Sequence, residues 1–256
     1  IDPRNGEVLA FVSKPGFDSV TIPHTKLAVI VAITEELARF SSPSAEATVR
    51  QDLIESISQY MDQQMVDPRV AAVSDVSPGA ITNGANTHIS TGSTVAQVTA
   101  DLNTALTYLA TNNIGMRSRY WLLHPRTANY LMTLRTTQDI YAFRDEMSRG
   151  LLLGVPFLQS SNMPLYDQGS PVASAGSLET FIVLVEASEL FLADDGQVML
   201  DVSREASLQM DSAPSAGAQS LVSLWQNNLV GIRAERYIYW SRRRSQAVYY
   251  IRSVAY

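Results

Sequence analysis

The sequence lacks cysteine and has no long apolar run, and each absence removes a class of protein from consideration. Without cysteine there are no disulfides and no thiolate-bound metal ions. No apolar stretch approaches the roughly 18 residues of a membrane span. No basic segment followed by an apolar one indicates an export signal. We therefore expect a chain that folds around its own core and has no membrane partner.

Lysine is also scarce. Of the 19 basic residues, Lys14 and Lys26 are the only lysines and the other 17 are arginines, and the formal net charge is -6. An acidic balance argues against a dedicated nucleic-acid-binding protein, which normally has a basic surface. Arginine suits ion pairs at interfaces better than lysine does. The arginine excess fits a protein with much contact surface, although genomic base composition explains it equally well.

Motifs of catalytic and cofactor-binding sites are missing as well. The three histidines, His24, His88 and His124, lack metal-ligand spacing. Neither a nucleophile-elbow serine nor a phosphate-binding loop occurs. A turn and a solvated helix explain the paired acids at 194–195 and 145–146. We predict a protein that is not an enzyme and has no cofactor and no metal site.

Apolar residues recur at intervals of three and four between residues 43 and 66, which predicts a long helix. Ser42 stands at the N-cap position, and Pro43 follows at the first helical position. At 1.5 Å per residue this helix is roughly 36 Å long. Its apolar stripe is expected to face the sheet of its own subunit and includes Val49, Leu53, Ile57 and Met61.

The remaining elements are those of a mixed α+β chain whose sheet forms mostly late in the sequence. Two more helices are predicted within 93–113 and from Pro125, with a short buried strand at 120–124 between them. Further strands are predicted at 180–187, on both sides of a turn at Asp195–Gly196, and in one or two long stretches near the C-terminus. Loops are predicted at 74–94 and 211–220.

Two stretches do not fit a simple core element. Residues 7–25 have strand composition around a Pro15–Gly16 break, which predicts a hairpin that reaches away from the core. Residues 149–164, RGLLLGVPFLQSSNMP, are apolar, yet glycine and proline interrupt them at spacings that no single helix or strand tolerates. We expect Gly154 and Pro156 to turn a buried strand where side chains would not fit.

The stretch YIYWSRRRSQAVYY places Arg242, Arg243 and Arg244 beside aromatic residues. One interpretation is a strand whose aromatics pack inward while the arginines face solvent or a neighbouring subunit's carboxylates. The other is contact with nucleic acid, because aromatic and arginine side chains can stack on bases.

Several segments, taken in order, resemble the major capsid proteins of tailed bacteriophages, which have the Hong Kong 97 fold. They are VRQDLIESISQYMD, WLLHPRT, the GLLLGVPF and SNMP pieces of 149–164, VSRE and NNLVGIRAERYIYW, and the resemblance covers residues 20–256. It implies an α+β fold with an extended loop, a peripheral domain with a long spine helix, and an axial domain. The loop would be 1–25, the peripheral domain 26–75 with 197–236, and the axial domain 76–196 with 237–256.

The same resemblance implies where subunits touch. The extended loop lies across a neighbouring subunit in this family, so Phe11, Lys14 and Phe17 are expected at that interface together with Asn227. Some members join such a lysine and asparagine covalently with the help of a glutamate. Here Ala234 occupies the expected glutamate position and Glu235 is its neighbour, so we expect a non-covalent contact only. Members usually have an N-terminal arm before the loop, and this arm is expected to be cleaved off or to lie outside the sequence.

The function implied is that of a structural protein of the virion. Copies would assemble in the host cytoplasm as hexamers and pentamers into an icosahedral shell around double-stranded DNA, which the shell would not bind sequence-specifically. A portal, a scaffold or a maturation protease would act as partners during assembly. The alternative of the same fold is an encapsulin-type compartment that encloses enzymes. Two functions of different classes also stay open: an enzyme with an unrecognised site, and a nucleic-acid-binding protein that acts through Arg242–Arg244.

Overall fold

The structure, a computed structural model, describes residues 25–36, 43–74, 76–165, 178–210 and 221–256. This part of the chain contains two large β-sheets, a separate two-stranded sheet formed by Ser207–Leu208 and Val222–Ser223, four α-helices and two short 3-10 helices at Ala187–Glu189 and Ser245–Ala247. The helices are α1 (Pro43–Val66), α2 (Val95–Thr111), α3 (Pro125–Thr133) and α4 (Arg144–Met147). The strands are β1 (Lys26–Thr34), β2 (Asn86–Ile89), β3 (Arg119–Leu123), β4 (Leu151–Leu152), β5 (Val155–Gln159), β6 (Thr180–Glu186), β7 (Leu190–Asp194), β8 (Met199–Ser203), β9 (Ser207–Leu208), β10 (Val222–Ser223), β11 (Leu229–Arg242) and β12 (Val248–Val254). None of the described helices combines the length and the apolar character that crossing a membrane requires.

The helix α1 has the bounds that its apolar periodicity predicts. Leu53 and Ile57 are almost completely buried, at 2% and 1% exposure, and Met61 is half-buried. The side chain of Val49 lies outside the described residues. The helix packs against β1, so the described part of the stripe is covered as predicted.

The first sheet is built on the fourteen-residue strand β11. The strand β1 runs antiparallel along one edge of β11, from Lys26 opposite Tyr237 to Thr34 opposite Leu229. Both β7 and β8 pair antiparallel with its other edge, at 238–242 and 231–235 respectively. The strands predicted on both sides of Asp195–Gly196 are present as β7 and β8, but they do not pair with each other: β8 continues along β11 in the direction of β7. Gly196 has a positive φ of 71° at the break between them.

The second sheet has six strands in the order β2-β12-β6-β3-β5-β4. Its strand β6 is buried at every position because both faces of the sheet are covered. Ile182 and Leu184 join a core with apolar residues of α2, α3 and α4. Phe181, Val183 and Val185 join a second core that contains Trp240 of β11 and the end of α1. This second core connects the two sheets.

The strand β2 lies inside residues 74–94, which the sequence predicted to be a loop. The segment is short and polar, and its pairing is with β12, far away in sequence, where Tyr249 lies opposite Asn86 and Arg252 opposite Ile89. A parallel partner supplied by tertiary structure leaves no local pattern, so composition alone predicts a loop there.

Residues 149–164 contain a tight hairpin at the edge of the six-stranded sheet. A two-residue turn joins β4 to β5, with φ of 49° at Leu153 and 70° at Gly154. Two positive φ values give the turn type that matches the twist of paired strands. A Cβ at Gly154 would meet no atom within 4 Å. The glycine is therefore required by backbone conformation and not, as the sequence suggested, by lack of space.

Candidate functional site

The predicted interface residues fall in two groups. Phe11, Lys14 and Phe17 lie outside the described residues. Asn227 lies in an exposed turn between β10 and β11, where its Nδ2 donates to the carbonyl oxygen of Ser223 at 2.9 Å. The backbone N–H of Glu35 donates to the carbonyl of Asn228 at 2.9 Å, which ties this turn to the end of β1. The turn is thus held at one end of the first sheet.

The same turn carries an exposed tryptophan that sequence reasoning missed. Trp225 is 77% exposed and Leu221, which precedes β10, is 64% exposed. Tryptophan side chains that bury into a partner often dominate binding energy. The sequence did contain a signal for this turn. Trp225 comes directly before Gln226, Asn227 and Asn228, and asparagine is typical of turns, although the sequence analysis predicted a strand here.

Glu235, beside the position where the family's helper glutamate is expected, is bound within its own subunit. Its carboxylate lies 3.0 Å from Lys26 Nζ on β1 and 3.2 Å from Arg233 Nε on β11. Arg233 also donates to Asp201 of β8 at 2.9 Å. Ala234 is completely buried. Glu235 therefore links two strands of the first sheet.

Of the three predicted contact arginines, two are held by their own chain. Arg242 donates to the carbonyl oxygen of Asn83 at 2.6 Å, and burial lowers the pKa of its guanidinium. Arg244 forms a two-pronged ion pair with the buried Glu189. The backbone N–H of Arg243 donates to the backbone carbonyl oxygen of Glu189 at 2.8 Å, and the side chain of Arg243 is exposed. The aromatic neighbour Trp240 faces the second core and donates to Gly79 at 2.9 Å.

Replacing Glu189 with glutamine tests the ion pair with Arg244. Hydrogen bonds from Arg244 lower the pKa of Glu189 in the folded chain, whereas a glutamate in an unfolded chain has a pKa of about 4.3. The ion pair therefore stabilises the folded chain fully above that pH, and this stabilisation is lost as the pH falls through the lower pKa of the folded state. We expect Glu189→Gln to lower the melting temperature near neutral pH and the difference to shrink in acid.

The matched control for this measurement is Glu205→Gln, because Glu205 is exposed. It should leave the melting temperature nearly unchanged at both pH values. If Glu189→Gln lowered the melting temperature as much in acid as near neutral pH, the charge of the Glu189 carboxylate would not be what stabilises the folded chain.

An apolar groove of about 1040 Å³ opens between β1 and α1. Its lining includes Leu27 and Val29 of β1, Met61 of α1, Met210 and Trp240. On the sheet side, β1 pairs with β11 along one edge, and no described strand covers its other edge. An apolar edge strand beside an open groove is a surface that other chains can occupy.

The described histidines have structural positions. His124 caps α3, accepting from the backbone N–H of Arg126 at 3.1 Å. His88 lies on β2, with Nδ1 3.0 Å from the Tyr249 hydroxyl and Nε2 3.3 Å from a carboxylate oxygen of Asp101. Across the described ranges, no three His, Cys, Asp or Glu side chains are grouped so that they could hold a metal ion. His24 lies outside these ranges.

Comparison with known proteins identifies the family to which this chain belongs. The model of the phage capsid family matches residues 9–248. The chain belongs to the phage capsid family. This confirms the resemblance on which the sequence prediction rested, and a structural role rather than a catalytic one goes with the family.

Individual members of the phage capsid family are similar over most of this chain. It is 38% identical over 247 residues to the capsid polyprotein of Pseudomonas phage PAJU2, covering 95% of this chain and 36% of that protein. It is 26% identical over 240 residues to the major capsid protein of Klebsiella oxytoca phage phiKO2, covering 88% of this chain and 53% of that protein. The chain thus spans about half or less of the length of these two relatives.

Solved structures confirm the fold. A chain from Gordonia phage Cozz superposes with a TM-score of 0.65 at 15% identity, covering 98% of this chain and 79% of that one. The capsid of a native GTA particle gives a TM-score of 0.63 at 12% identity, with the same coverage of both chains. The mixed helix-and-strand fold of phage capsid structures therefore extends through almost the whole chain.

Proposed function

We propose that this chain is a major capsid protein that assembles as hexamers and pentamers into an icosahedral shell around double-stranded phage DNA. The observation that carries the proposal is the family match over residues 9–248. The capsid proteins of two phages are similar to 95% and 88% of the chain. The exposed Trp225 turn and the open groove beside β1 are the kind of surface that an assembling subunit leaves for its neighbours.

Sedimentation velocity tests the proposal in solution. The purified protein is expected to sediment as large particles together with capsomers, far above its 28.1 kDa chain mass. A single species of monomer size, at concentrations where the protein remains folded, would count against a shell.

The domain division belongs to the same proposal: a loop at 1–25, a peripheral domain at 26–75 and 197–236, and an axial domain at 76–196 and 237–256. The pairing of β11 supports the later boundaries. Its partner is β8 up to Glu235 and β7 from Ile238 onward. The change of partner on β11 lies between Glu235 and Ile238, close to residue 236, where the proposed return segment 197–236 ends, and β8 begins at Met199, close to where that segment begins.

The extended loop is proposed to be stable only against another subunit. An isolated two-stranded hairpin is marginal in water, and Phe11 and Phe17 are its largest apolar side chains. We expect the double change Phe11→Ala and Phe17→Ala to leave subunit unfolding unchanged and to lower the melting temperature of shells. The matched control is Phe191→Ala, at a 39% exposed residue of β7, which should affect shells less.

Hydrogen exchange gives a second readout of the loop. Amides of residues 7–25 should exchange rapidly in free subunits or capsomers and slowly in shells. Equal protection in both states would place the segment in the core of its own subunit.

Shells should contain no covalent link between Lys14 and Asn227. Glu235, beside the expected helper position, is held by Lys26 and Arg233, and side chains alternate faces along a strand. Boiled shells should therefore run on a denaturing gel as single 28.1 kDa chains. A ladder of covalent oligomers would contradict this, and Asn227→Ala would then show whether that asparagine forms the link.

Partners other than copies of the chain follow from the same proposal. A portal, a scaffold or a maturation protease would act during assembly. The protein would assemble in the host cytoplasm and would then be part of the virion. The encapsulin-type alternative has no specific observation in its favour, since both relatives named above are phage proteins.

A further inference from the structure

Three turns meet at one end of the six-stranded sheet and bring five arginines together. The backbone N–H of Ala187 donates to Ser118 at 2.8 Å, and that of Arg243 donates to Glu189 at 2.8 Å. Arg244 Nη1 donates to the carbonyl of Asn113 at 3.4 Å. Residues 113–119, 186–190 and 242–247 therefore form one continuous surface, which we call the basic end; its arginines are Arg117, Arg119, Arg242, Arg243 and Arg244.

The exposed charge of the basic end is entirely positive. Its two acids, Glu186 and Glu189, are 0% and 5% exposed. Five arginines and two glutamates give the basic end a net charge of +3, so the rest of the chain, whose total is -6, carries -9. The surface is thus a local cationic patch on an otherwise strongly acidic molecule.

Part of this positive charge has no partner among the described residues. The guanidinium of Arg117 is exposed and has no described hydrogen bond or ion pair. That of Arg243 is exposed and has none either, although its charge adds to the Arg244 hydrogen bonds that lower the pKa of Glu189. Arg119 reaches only the Met116 sulfur, at 3.6 Å. Arg244, although paired with Glu189, keeps 42% of its side chain exposed. These groups are available to a ligand that offers several negative charges.

We propose that the basic end binds an acidic surface of a neighbouring copy of this chain in the assembled shell. This inference rests on the proposed function. In a closed ring, head-to-tail contacts join two different surfaces of identical subunits. A patch of positive charge can meet a patch of negative charge in such a ring, whereas a two-fold contact centred on the basic end would place the positive charges of two copies against each other. The -9 charge outside the basic end supplies the opposite sign.

The same observations favour a protein partner over a nucleic acid. Stacking of bases needs accessible aromatic rings beside the arginines. Trp240 is 6% exposed and belongs to the core between the sheets. Tyr239 is half-buried. Arginine's flat, two-pronged donor matches carboxylates and phosphates alike, so the burial of the aromatic rings, and not the arginines themselves, favours a protein partner.

The scarcity of lysine allows a direct test. Native lysines occur only at positions 14 and 26, so Arg243→Lys introduces an amine with little background. Shells of this variant are treated with a carbodiimide, which couples an amine directly to a carboxylate in contact with it. The matched control is Arg149→Lys, at an exposed arginine outside the basic end.

We expect treated Arg243→Lys shells to give severalfold more covalent dimer on a denaturing gel than native or control shells. Peptide mapping should join position 243 to an Asp or Glu of another copy. Particles that form normally but give no dimer above the native background would overturn the inference. Coupling confined to Glu189 within one chain would overturn it as well.

A second variant distinguishes the partner. Arg117→Glu with Arg243→Glu should reduce particle yield severalfold while the melting temperature of the subunit stays unchanged. If particles form at the native yield and only retention of double-stranded DNA falls, the basic end serves nucleic acid and the inference is wrong. If the native chain itself forms no particles, the proposed function fails, and this inference fails with it.

Discussion

Replacing Trp121 with alanine is expected to lower the free energy of unfolding by about 3–5 kcal/mol, the range for large aromatic residues in a core. Trp121 is completely buried in the core formed by α2, α3, α4 and the six-stranded sheet. Its indole N–H donates to the carbonyl oxygen of Leu152 at 3.1 Å. The residue thus fills the core and also fastens the β4–β5 hairpin, so its loss creates a cavity and an unpaired carbonyl.

Two further substitutions separate these contributions in denaturant unfolding of the unassembled subunit. Trp121→Phe keeps an aromatic ring but removes the N–H donor, and it should cost less than Trp121→Ala, with a hydrogen-bond contribution of about 1 kcal/mol. Leu158→Ala, at a 55% exposed residue of the same hairpin, should change stability by no more than about 0.5 kcal/mol. If Trp121→Ala were as mild as Leu158→Ala, the core assignment would be wrong.

Leu53→Ala is expected to cost about 2–5 kcal/mol, because it removes a side chain from the buried stripe of α1. Leu53 is 2% exposed, whereas its neighbour Ile54 is 39% exposed. Ile54→Ala also replaces a branched apolar residue of the same helix with alanine but should cost far less. Both variants place alanine in the same helix, so the difference between their free energies of unfolding, measured by denaturant melts, reports how deeply each original side chain is buried. Equal losses, or none for Leu53→Ala, would contradict the orientation of α1.

Local periodicity was enough to predict α1 and the helix over Val95–Thr111. In α2 the apolar residues that recur at helical spacing on one face are Val95, Val98, Leu102, Ala105 and Leu109; Val95 is half-buried and the other four are completely buried. A Thr94–Gln97 capping box fixes where this helix begins. Such signals are contained in a few neighbouring residues, so a sequence carries them without reference to the rest of the fold.

Features that depend on distant pairing were not predictable in this way. The strand β2 exists because it lies beside β12, and β7 and β8 share one long partner instead of pairing with each other. At Gly154 the sequence indicated a special position, but only the φ of 70° shows that conformation is the reason.

The candidate surfaces show the same limit. Arg242–Arg244 could be singled out as a run, yet Arg117 and Arg119 join them only because three turns meet at one sheet end. Trp225 could be recognised as exposed only after the turn before β11 was defined. The interface role of Phe11, Lys14 and Phe17 came from family resemblance and stays a prediction.

Electron microscopy of negatively stained particles purified after expression of the chain tests the central claim most directly. The account predicts closed shells of uniform diameter, with five-fold and six-fold capsomers visible in class averages. Folded protein that yields only monomers or irregular aggregates, under every condition in which it stays soluble, would contradict the claim that this chain builds an icosahedral capsid.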